Sequence, residues 1–388
     1  MMKRAPLLII FLSIFNLIHA QERPITTAVP FLLVAADARA AGMGDNGVAS
    51  AADSFSQQWN PSKYAFATDQ QGFSVSYTPY LTDLVNDISL AQITYYNRYS
   101  DKSAFGASFR YFGLGDIELR TDFDSPVVLV SPNEFAFDLS YSLKLSDKFS
   151  MAVAGRFINS NLKVATDNND ASSSSSFAVD VSGFYQSEEI AYSDFNGRWR
   201  AGFNFQNMGP KMSYDNSELN ANFLPANMKL GGGFDFILDE YNKVAVNLEI
   251  SKLMVPTPQN SDLNGDGNIT PAEVQQNRDD YQSINWFSGM LQSFTDAPGG
   301  FSEELKEVTY SLGSEYVYQD AFSFRAGYFY ENPNKGAREF FSLGAGFKYS
   351  AVKIDVSYLF SASKVQNPLE NTLRFSLTFN FGEKYENY

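Results

Sequence analysis

One segment of the chain carries the residue types and spacing of a calcium-binding loop. Oxygen-bearing side chains recur at alternate positions of this segment: Asp262, Asn264, Asp266, Asn268, Thr270 and Glu273. Calcium takes about six to eight oxygen ligands, Gly267 permits the sharp turn, and Glu273 can bind with both oxygens. The motif occurs once, and Pro256 and Pro258 precede it where an entering helix would lie. The pattern therefore predicts a structural Ca²⁺ ion rather than a calcium sensor.

Cysteine and histidine, two residue types that often catalyse reactions or bind metals, are almost absent from the chain. The chain has no cysteine, and its one histidine, His19, lies in the N-terminal apolar segment. Disulfides, thiolate chemistry, histidine-ligated metals and a Ser-His-Asp arrangement therefore lack the residues that build them. The net charge of −15 argues against nucleic-acid partners, because these require a basic surface. We expect a protein that is not an enzyme and binds no nucleic acid.

The segments that must position the calcium loop show hydrophobic residues alternating with polar ones, a period of two residues. In segment 134–146, for example, Phe137 and Leu139 alternate with Asp138 and Ser140. Such alternation places every second side chain on one face of a strand. Aromatic residues make up 15% of the chain, more than the interior of one barrel can hold. We therefore place the apolar face outward, in lipid.

Fourteen segments with this rhythm predict an all-β fold, a 14-stranded antiparallel transmembrane outer-membrane β-barrel over residues 72–382. The segments are 72–81, 87–98, 102–112, 134–146, 148–161, 175–187, 197–207, 226–238, 243–254, 305–318, 321–331, 338–349, 352–361 and 371–382. Connections after even-numbered segments are mostly short, and several after odd-numbered ones are long, notably 255–304 with the calcium motif. Long loops of such barrels are external. We therefore expect both termini on the periplasmic side, with 383–388 as a periplasmic tail.

The region before the barrel divides into two parts. Residues 1–20 read as a signal peptide, in which Lys3 and Arg4 precede an apolar run and Ala20 marks the cleavage site. Residues 21–71 lack the strand rhythm, yet Trp59 and the apolar stretch 31–34 require burial. We predict a plug inside the barrel; a loose periplasmic tail is the alternative.

Charged residues on the inward face of the strands should pair with each other and with the plug. These residues are Asp138, Arg156, Asp180, Arg200, Asp235, Glu249, Glu315, Arg325, Asp355 and Arg374. The alternative is a specific site for a polar ligand in the lumen.

A short apolar stretch follows the calcium motif at 284–294. Its large side chains are Trp286, Phe287, Met290, Leu291 and Phe294. Exposed apolar patches often mark interfaces, so the stretch is a candidate contact for another protein. Alternatively, it folds back over the barrel mouth or the calcium loop, and the sequence leaves both open.

The N-terminal region also resembles a known plug signature. The signature spans residues 30–45, continues through Gly47-Val48-Ala49 and Asp53, and reaches Trp59-Asn60-Pro61. It is similar to FadL-like outer-membrane proteins and, more closely, to the PorV family of the type IX secretion system. Supporting stretches lie at 76–83, 109–115 and 131–135, so the resemblance covers essentially the whole mature chain.

This resemblance implies a barrel that serves protein secretion. Members of the PorV family dock against a giant translocon barrel, SprA or Sov, and bind the C-terminal signal domain of secreted cargo. They then deliver the cargo to an attachment complex that contains the PorU-type sortase. The implied location is the outer membrane of a Gram-negative, Bacteroidetes-type bacterium, in contact with outer-membrane lipid.

The residues of the chain leave two other functions to consider. A FadL-type transporter of hydrophobic small molecules would use the same barrel and plug, since fold alone does not decide function. It would need an apolar pocket under the plug and a lateral opening. A lipopolysaccharide-modifying hydrolase, an activity suggested for some members of the family, is disfavoured because the mature chain has no histidine.

Overall fold

The computed structural model describes residues 24–385, except 82–84, 86, 121–126, 163–172, 215–220 and 364–366. The predicted signal peptide and the last three residues of the predicted tail lie outside this part of the chain. In the described part, no helix has both the length and the apolar character needed to cross a membrane.

In the described part of the chain, fourteen antiparallel strands close into one barrel, which confirms the predicted fold class. Each predicted segment overlaps one strand, with bounds that differ by up to three residues. Each strand pairs with its neighbours in chain order, and the last strand pairs back with the first, Phe379 lying opposite Phe73. The strands are β1 (Asp69–Pro79), β2 (Ile88–Arg98), β3 (Ser103–Leu114), β4 (Asn133–Ser146), β5 (Phe149–Asn161), β6 (Ser174–Gln186), β7 (Asn196–Met208), β8 (Asn227–Ile237), β9 (Asn242–Leu253), β10 (Val308–Tyr318), β11 (Phe322–Tyr330), β12 (Glu339–Tyr349), β13 (Val352–Ser361) and β14 (Leu373–Lys384).

The outer wall carries the apolar side chains, as the alternation predicts. Phe137 and Leu139 are exposed while Asp138 between them is buried. A row of aromatic rings crosses neighbouring strands: the ring centroids of Phe135 and Phe157 lie 6.1 Å apart, and those of Phe157 and Phe177 lie 5.2 Å apart. Cross-strand aromatic pairs stabilise neighbouring strands, and on this face they form a surface suited to lipid.

The two ends of the barrel differ in their connections. Connections after even-numbered strands are mostly short, with only 147–148 between β4 and β5 and 350–351 between β12 and β13, the longest being 187–195 between β6 and β7. We call this the turn end. Connections after odd-numbered strands emerge at the opposite, loop end, and the longest is 254–307 between β9 and β10. Among the described residues, the loop end carries three α-helices, α3 (Pro271–Ser283), α4 (Trp286–Gln292) and α5 (Phe301–Glu304), and the 3₁₀ helix Leu305–Glu307.

Residues 24–68 form the predicted plug and run through the lumen from the loop end to the turn end. At the loop end, the Ala28 amide donates to the Phe223 carbonyl oxygen at 2.9 Å. At the turn end, the Thr68 carbonyl oxygen accepts from the Tyr385 amide at 2.8 Å. Within the plug lie α1 (Ala38–Ala41), α2 (Ser56–Trp59) and the 3₁₀ helices Pro30–Leu33 and Pro61–Phe66.

The prediction that both termini are periplasmic stays a prediction, because residues 1–23 and 386–388 lie outside the described residues. The described chain begins at the loop end and finishes at the turn end, because the plug crosses the lumen before β1 starts. The tail differs from the prediction, since Glu383 and Lys384 still belong to β14. Tyr385 folds inward rather than hanging free: its hydroxyl donates to the Arg98 carbonyl oxygen at 2.9 Å.

Buried charges attach the plug to the wall. The Arg39 guanidinium donates to both carboxylate oxygens of Glu315 at 3.0 and 2.7 Å, and to Asp53 at 2.6 Å. Glu315 also accepts from Arg325 at 2.8 Å. Glu249 Oε2 accepts hydrogen bonds from the Gly47 and Val48 amides, each at 2.8 Å. The pairing of inward charges with the plug is the arrangement that the sequence predicted.

The upper lumen, toward the loop end, is apolar and is filled by the chain itself. Phe31 and Leu32 of the plug are buried there against wall residues that include Leu90 and Phe112. The rings of Phe31 and Phe112 are stacked with centroids 5.9 Å apart. These contacts occupy the part of the lumen in which an apolar ligand would otherwise lie.

Candidate functional site

The connection 254–307 holds both candidate sites that the sequence singled out. It enters at the end of β9, forms the calcium motif, and continues through α3, α4 and α5 to the start of β10. It is held in place by neighbouring loops: Lys211 Nζ donates to the Gln282 carbonyl oxygen at 2.7 Å, and the Phe223 and Tyr281 rings lie 5.5 Å apart. The loop is therefore packed, at the C-terminal end of α3, onto the connection between β7 and β8.

The first half of the calcium motif has the turn that its glycines allow. Gly265 and Gly267 both have left-handed backbone, with φ of 74° and 82°, which side chains other than glycine adopt at a cost. This conformation points two amides toward Asp262, whose carboxylate accepts from Gly265 at 2.8 Å and from Gly267 at 2.9 Å. The backbone thus wraps around the side chain at the first position of the motif.

The next side chains of the motif form short-range hydrogen bonds with the loop backbone. Asn264 Oδ1 accepts from the Asp266 amide and Asp266 Oδ1 accepts from the Asn268 amide, at 2.8 and 2.7 Å. Asn264 Nδ2 also donates to Asp266 Oδ2 at 3.1 Å. These bonds keep the oxygens on a tight, exposed turn.

The last two motif residues begin α3. Thr270 and Glu273 form a reciprocal cap, in which Glu273 Oε2 accepts from the Thr270 amide at 2.9 Å and from its hydroxyl at 2.7 Å. Donation from Thr270 lowers the pKa of the Glu273 carboxyl below its usual value. In the described part of the chain, no three His, Cys, Asp or Glu side chains stand close enough to hold a metal ion. The motif therefore has the turn of a calcium loop, with Glu273 turned toward the helix cap.

A buried cluster of charges at the base of the loop escaped the sequence analysis. Lys252 Nζ lies 3.0 Å from Glu304 and 2.5 Å from Glu307, while Lys335 Nζ lies 2.5 Å from Glu303 and 3.0 Å from Glu307. All five side chains are buried. The acidic run 303–307 was visible in the sequence, but the two lysines that face it come from β9 and from another loop. The cluster ties connection 254–307 to 331–338.

Asp296 lies beside this cluster and is half-buried. Its carboxylate accepts from the Thr257 amide at 3.1 Å. Burial, followed by the nearby negative charges of Glu304 and Glu307, raises the pKa of Asp296 to about 6 despite that hydrogen bond.

In the apolar stretch 284–294, some side chains fold back onto the barrel and others stay exposed, so both alternatives that the sequence left open hold in part. Trp286 and Met290 fold back onto the barrel, where they pack in a cluster with Ala226 and Met254. Phe287, Leu291 and Phe294 remain exposed, with 56% of Phe287 and 64% of Leu291 accessible. Two of the five candidates therefore anchor α4, Phe287 and Leu291 form its free face, and Phe294 lies exposed in the turn that follows.

Comparison with known families identifies the chain. The family model for "Type IX secretion system protein PorV" matches residues 18–260. The chain belongs to the PorV family. This confirms the resemblance seen at the plug and places the protein in the context of the type IX secretion system. The match ends just before the calcium motif, so the motif, α3 and α4 all lie in the part of the chain beyond it.

Similar solved structures include two that are toluene transporters by name. One is the Ralstonia pickettii toluene transporter TbuX (12% identity, 91% of this chain, 100% of that chain, TM-score 0.48). Others are the P. putida toluene transporter TodX (10%, 90%, 99%, 0.49) and a Pseudomonas aeruginosa FadL homologue (11%, 90%, 99%, 0.43). A search of curated proteins finds no match. The fold assignment rests on the strand pairing of this chain itself.

Proposed function

We propose that this outer-membrane barrel is a cargo receptor and shuttle of the type IX secretion system. It would bind the C-terminal signal domain of a secreted protein at the translocon and deliver that protein to the attachment complex at the cell surface. The observation that carries the proposal is that the plug fills the apolar upper lumen, while an ordered connection with three α-helices projects from the loop end. Membership of the PorV family supplies the secretion context.

The partners follow from that role. The loop end faces the cell exterior in our proposal, since long loops of outer-membrane barrels are external. A giant barrel of the SprA or Sov type would then lie beside this one in the membrane, and a PorU-type sortase would receive the cargo at the surface. With the loop end outside, the described start of the plug is near the exterior and Tyr385 faces the periplasm.

Calcium would act in this role as a structural ion. We propose that Ca²⁺ draws the carboxylates of Asp262, Asp266 and Glu273 together, with oxygens from Asn264, Asn268 and Thr270 completing the set. Glu273 would have to exchange part of its cap on α3 for the ion. Rigid loops bind with a smaller entropic cost, so an ordered motif would favour recognition of a folded cargo domain. The ion would shape the surface without taking part in chemistry.

The transporter alternative meets a physical obstacle. A carrier of hydrophobic small molecules needs an apolar space that the ligand can enter. In this chain, Phe31 and Leu32 fill the apolar upper lumen, and a ligand there would have to displace side chains that are already buried. We also propose that the role is not enzymatic, because recognition and delivery require no chemical step.

A secretion assay in the native bacterium tests the proposal. The gene would be deleted, and a reporter fused to a cargo C-terminal domain would be followed by cell fractionation and surface proteolysis. We expect the reporter to be retained inside the cells or released unattached, and the wild-type gene to restore its surface display. Normal display, together with impaired uptake of a hydrophobic solute, would favour the transporter instead.

A further inference from the structure

Helix α4 lies against the outer wall of the barrel rather than over its mouth. The direction of the wall side chains can be read from β7: Asn204 donates to the Trp59 carbonyl oxygen of the plug at 2.8 Å, so Asn204 points inward. Its neighbour Phe205 therefore points outward. Phe205 pairs with Met228 of β8, which places Met228 on the same outer face.

Trp286 and Met290 of α4 pack against this outward-facing set. Their cluster contains Phe205, Met208, Ala226, Met228 and Met254. Close packing also involves Gly289, where an added Cβ would lie 2.8 Å from Pro256 and 3.2 Å from Phe223. The helix is thus fixed to the upper edge of the surface that the barrel presents to lipid.

The free face of α4 continues that surface. Phe287 and Leu291 lie four residues apart and therefore share one side of the helix, and the exposed Phe294 follows in the turn just after its end. Residues 284–294 include no lysine, arginine, aspartate or glutamate. Helix α3, by contrast, exposes charged residues including Arg278 and Asp280. The chain therefore changes from a water-facing helix to an uncharged apolar helix within three residues of the end of α3.

We propose that α4 is an interfacial helix whose free face, formed by Phe287 and Leu291, inserts into the outer leaflet of the membrane together with Phe294 of the following turn. Helices that lie in the plane of the interface bury an apolar face at the boundary between headgroups and acyl chains. Aromatic side chains are favoured at that depth. Trp286 and Met290 fix the helix to the wall, and the other three side chains extend the lipid-facing surface outward from β7 and β8.

The competing occupant is another protein, and the position of α4 favours lipid. A helix over the barrel mouth would meet cargo or a partner loop, whereas a helix on the outer wall meets the leaflet that surrounds the barrel. The absence of charge across 284–294 matches an acyl environment and offers a protein partner no ion pair. An anchored α4 would hold connection 254–307, and with it the calcium motif, at a set height above the membrane.

Single-cysteine labelling tests this inference, because the chain has no native cysteine. Leu291→Cys would carry an environment-sensitive fluorophore in the full-length protein, reconstituted alone into phosphatidylcholine liposomes with nitroxide-labelled lipid. Leu248→Cys on the outer face of β9 is the lipid-facing control, and Val274→Cys on α3 is the water-facing control; both side chains are exposed. All three substitutions replace exposed residues, so folding of each variant can be checked by the same heat-modifiability assay.

We expect the Leu291→Cys label to be quenched to about the same extent as the Leu248→Cys label, and several times more than the Val274→Cys label. Quenching no greater than at Val274 would overturn the inference. A second measurement separates lipid from protein: the rate of labelling by a water-soluble maleimide in liposomes and in native outer membranes. Slow labelling in both supports lipid insertion. Fast labelling in liposomes with slow labelling in native membranes would assign the face to a protein partner instead.

Discussion

The plug and connection 254–307 contain similar polar side chains and use them in opposite ways. In the plug, Asp37, Arg39 and Lys63 are buried, and their hydrogen bonds reach other buried groups. In the calcium motif, Asp266 is exposed and Asp262 is half-buried, and both bond only over short distances along the loop. Buried polar groups without partners are costly, so the plug must be satisfied by its own protein. Exposed oxygens carry no such requirement and remain available to a ligand.

The largest difference in the free energy of unfolding should appear when one charge is removed from the plug and one from the surface. Arg39→Ala deletes the contacts to Glu315 and Asp53 in the lumen, and breaking a buried pair costs about 3–5 kcal/mol. Lys243→Ala removes a surface pair with Asp320, which we expect to cost about 1 kcal/mol or less. Urea unfolding of the two purified variants measures both. Equal unfolding midpoints would show that the plug is not held by its charges.

A second comparison uses two glycines with the same backbone conformation. Gly44 in the plug has φ of 75° and Gly267 in the loop has φ of 82°. A Cβ at Gly44 would lie 2.8 Å from the Tyr328 amide nitrogen, whereas a Cβ at Gly267 would have no atom within 4 Å. Gly44→Ala should therefore cost about 1–3 kcal/mol more than Gly267→Ala, which carries backbone strain alone. Thermal unfolding of the two variants checks the difference, and a reversed order would argue against tight packing of plug on wall.

The calcium proposal predicts a change confined to the loop. Asp262→Ala should weaken Ca²⁺ binding by about tenfold or more, because it removes a carboxylate ligand, and should leave the unfolding midpoint of the barrel unchanged. Isothermal titration measures the binding. Asp280→Ala on α3 is the control, since it removes the same charge outside the motif. If both variants bind Ca²⁺ equally, or if the wild type binds none, the ion has no role here.

The smallest expected effect is a pH dependence at the base of the loop. Because the pKa of Asp296 is raised to about 6 in the fold, its contribution to loop stability is present at pH 4 and is lost as the pH rises through 6. Hydrogen exchange across 254–307, corrected for intrinsic rates, should show less protection at pH 8 than at pH 4. Asp296→Asn should reduce that difference, since an amide keeps the acceptor for Thr257 without charge. An unchanged pH dependence in the variant would assign the effect to other groups.

The wall of the barrel was predictable because alternation reports directly on which face a residue occupies. Phe137 and Asp138 show this at the level of neighbouring residues, and the signature around Trp59 located the plug. The path of the plug was not predictable, because it depends on pairs such as Arg39 and Glu315 that lie 276 positions apart. The charge cluster around Lys252 and Glu307 was missed for the same reason.

The apolar stretch 284–294 shows what a sequence pattern cannot predict. Its composition marked five side chains as equivalent, and only packing against Phe205 and Met228 separated Trp286 and Met290 from the other three. The calcium motif is the converse case: sequence alone specified its ligand types, and the structure adds the turn at Gly265 and Gly267.

The central claim, that the loop end receives secreted cargo, is tested most directly by affinity capture. The tagged protein would be isolated from gently solubilised outer membranes, with and without a calcium chelator, and its companions identified by mass spectrometry. We expect secreted proteins that share a C-terminal domain, together with a very large barrel or a sortase-like protease, and a weaker yield of cargo under chelation. A lone barrel that carries only lipid or fatty acid would contradict the account and favour a transporter.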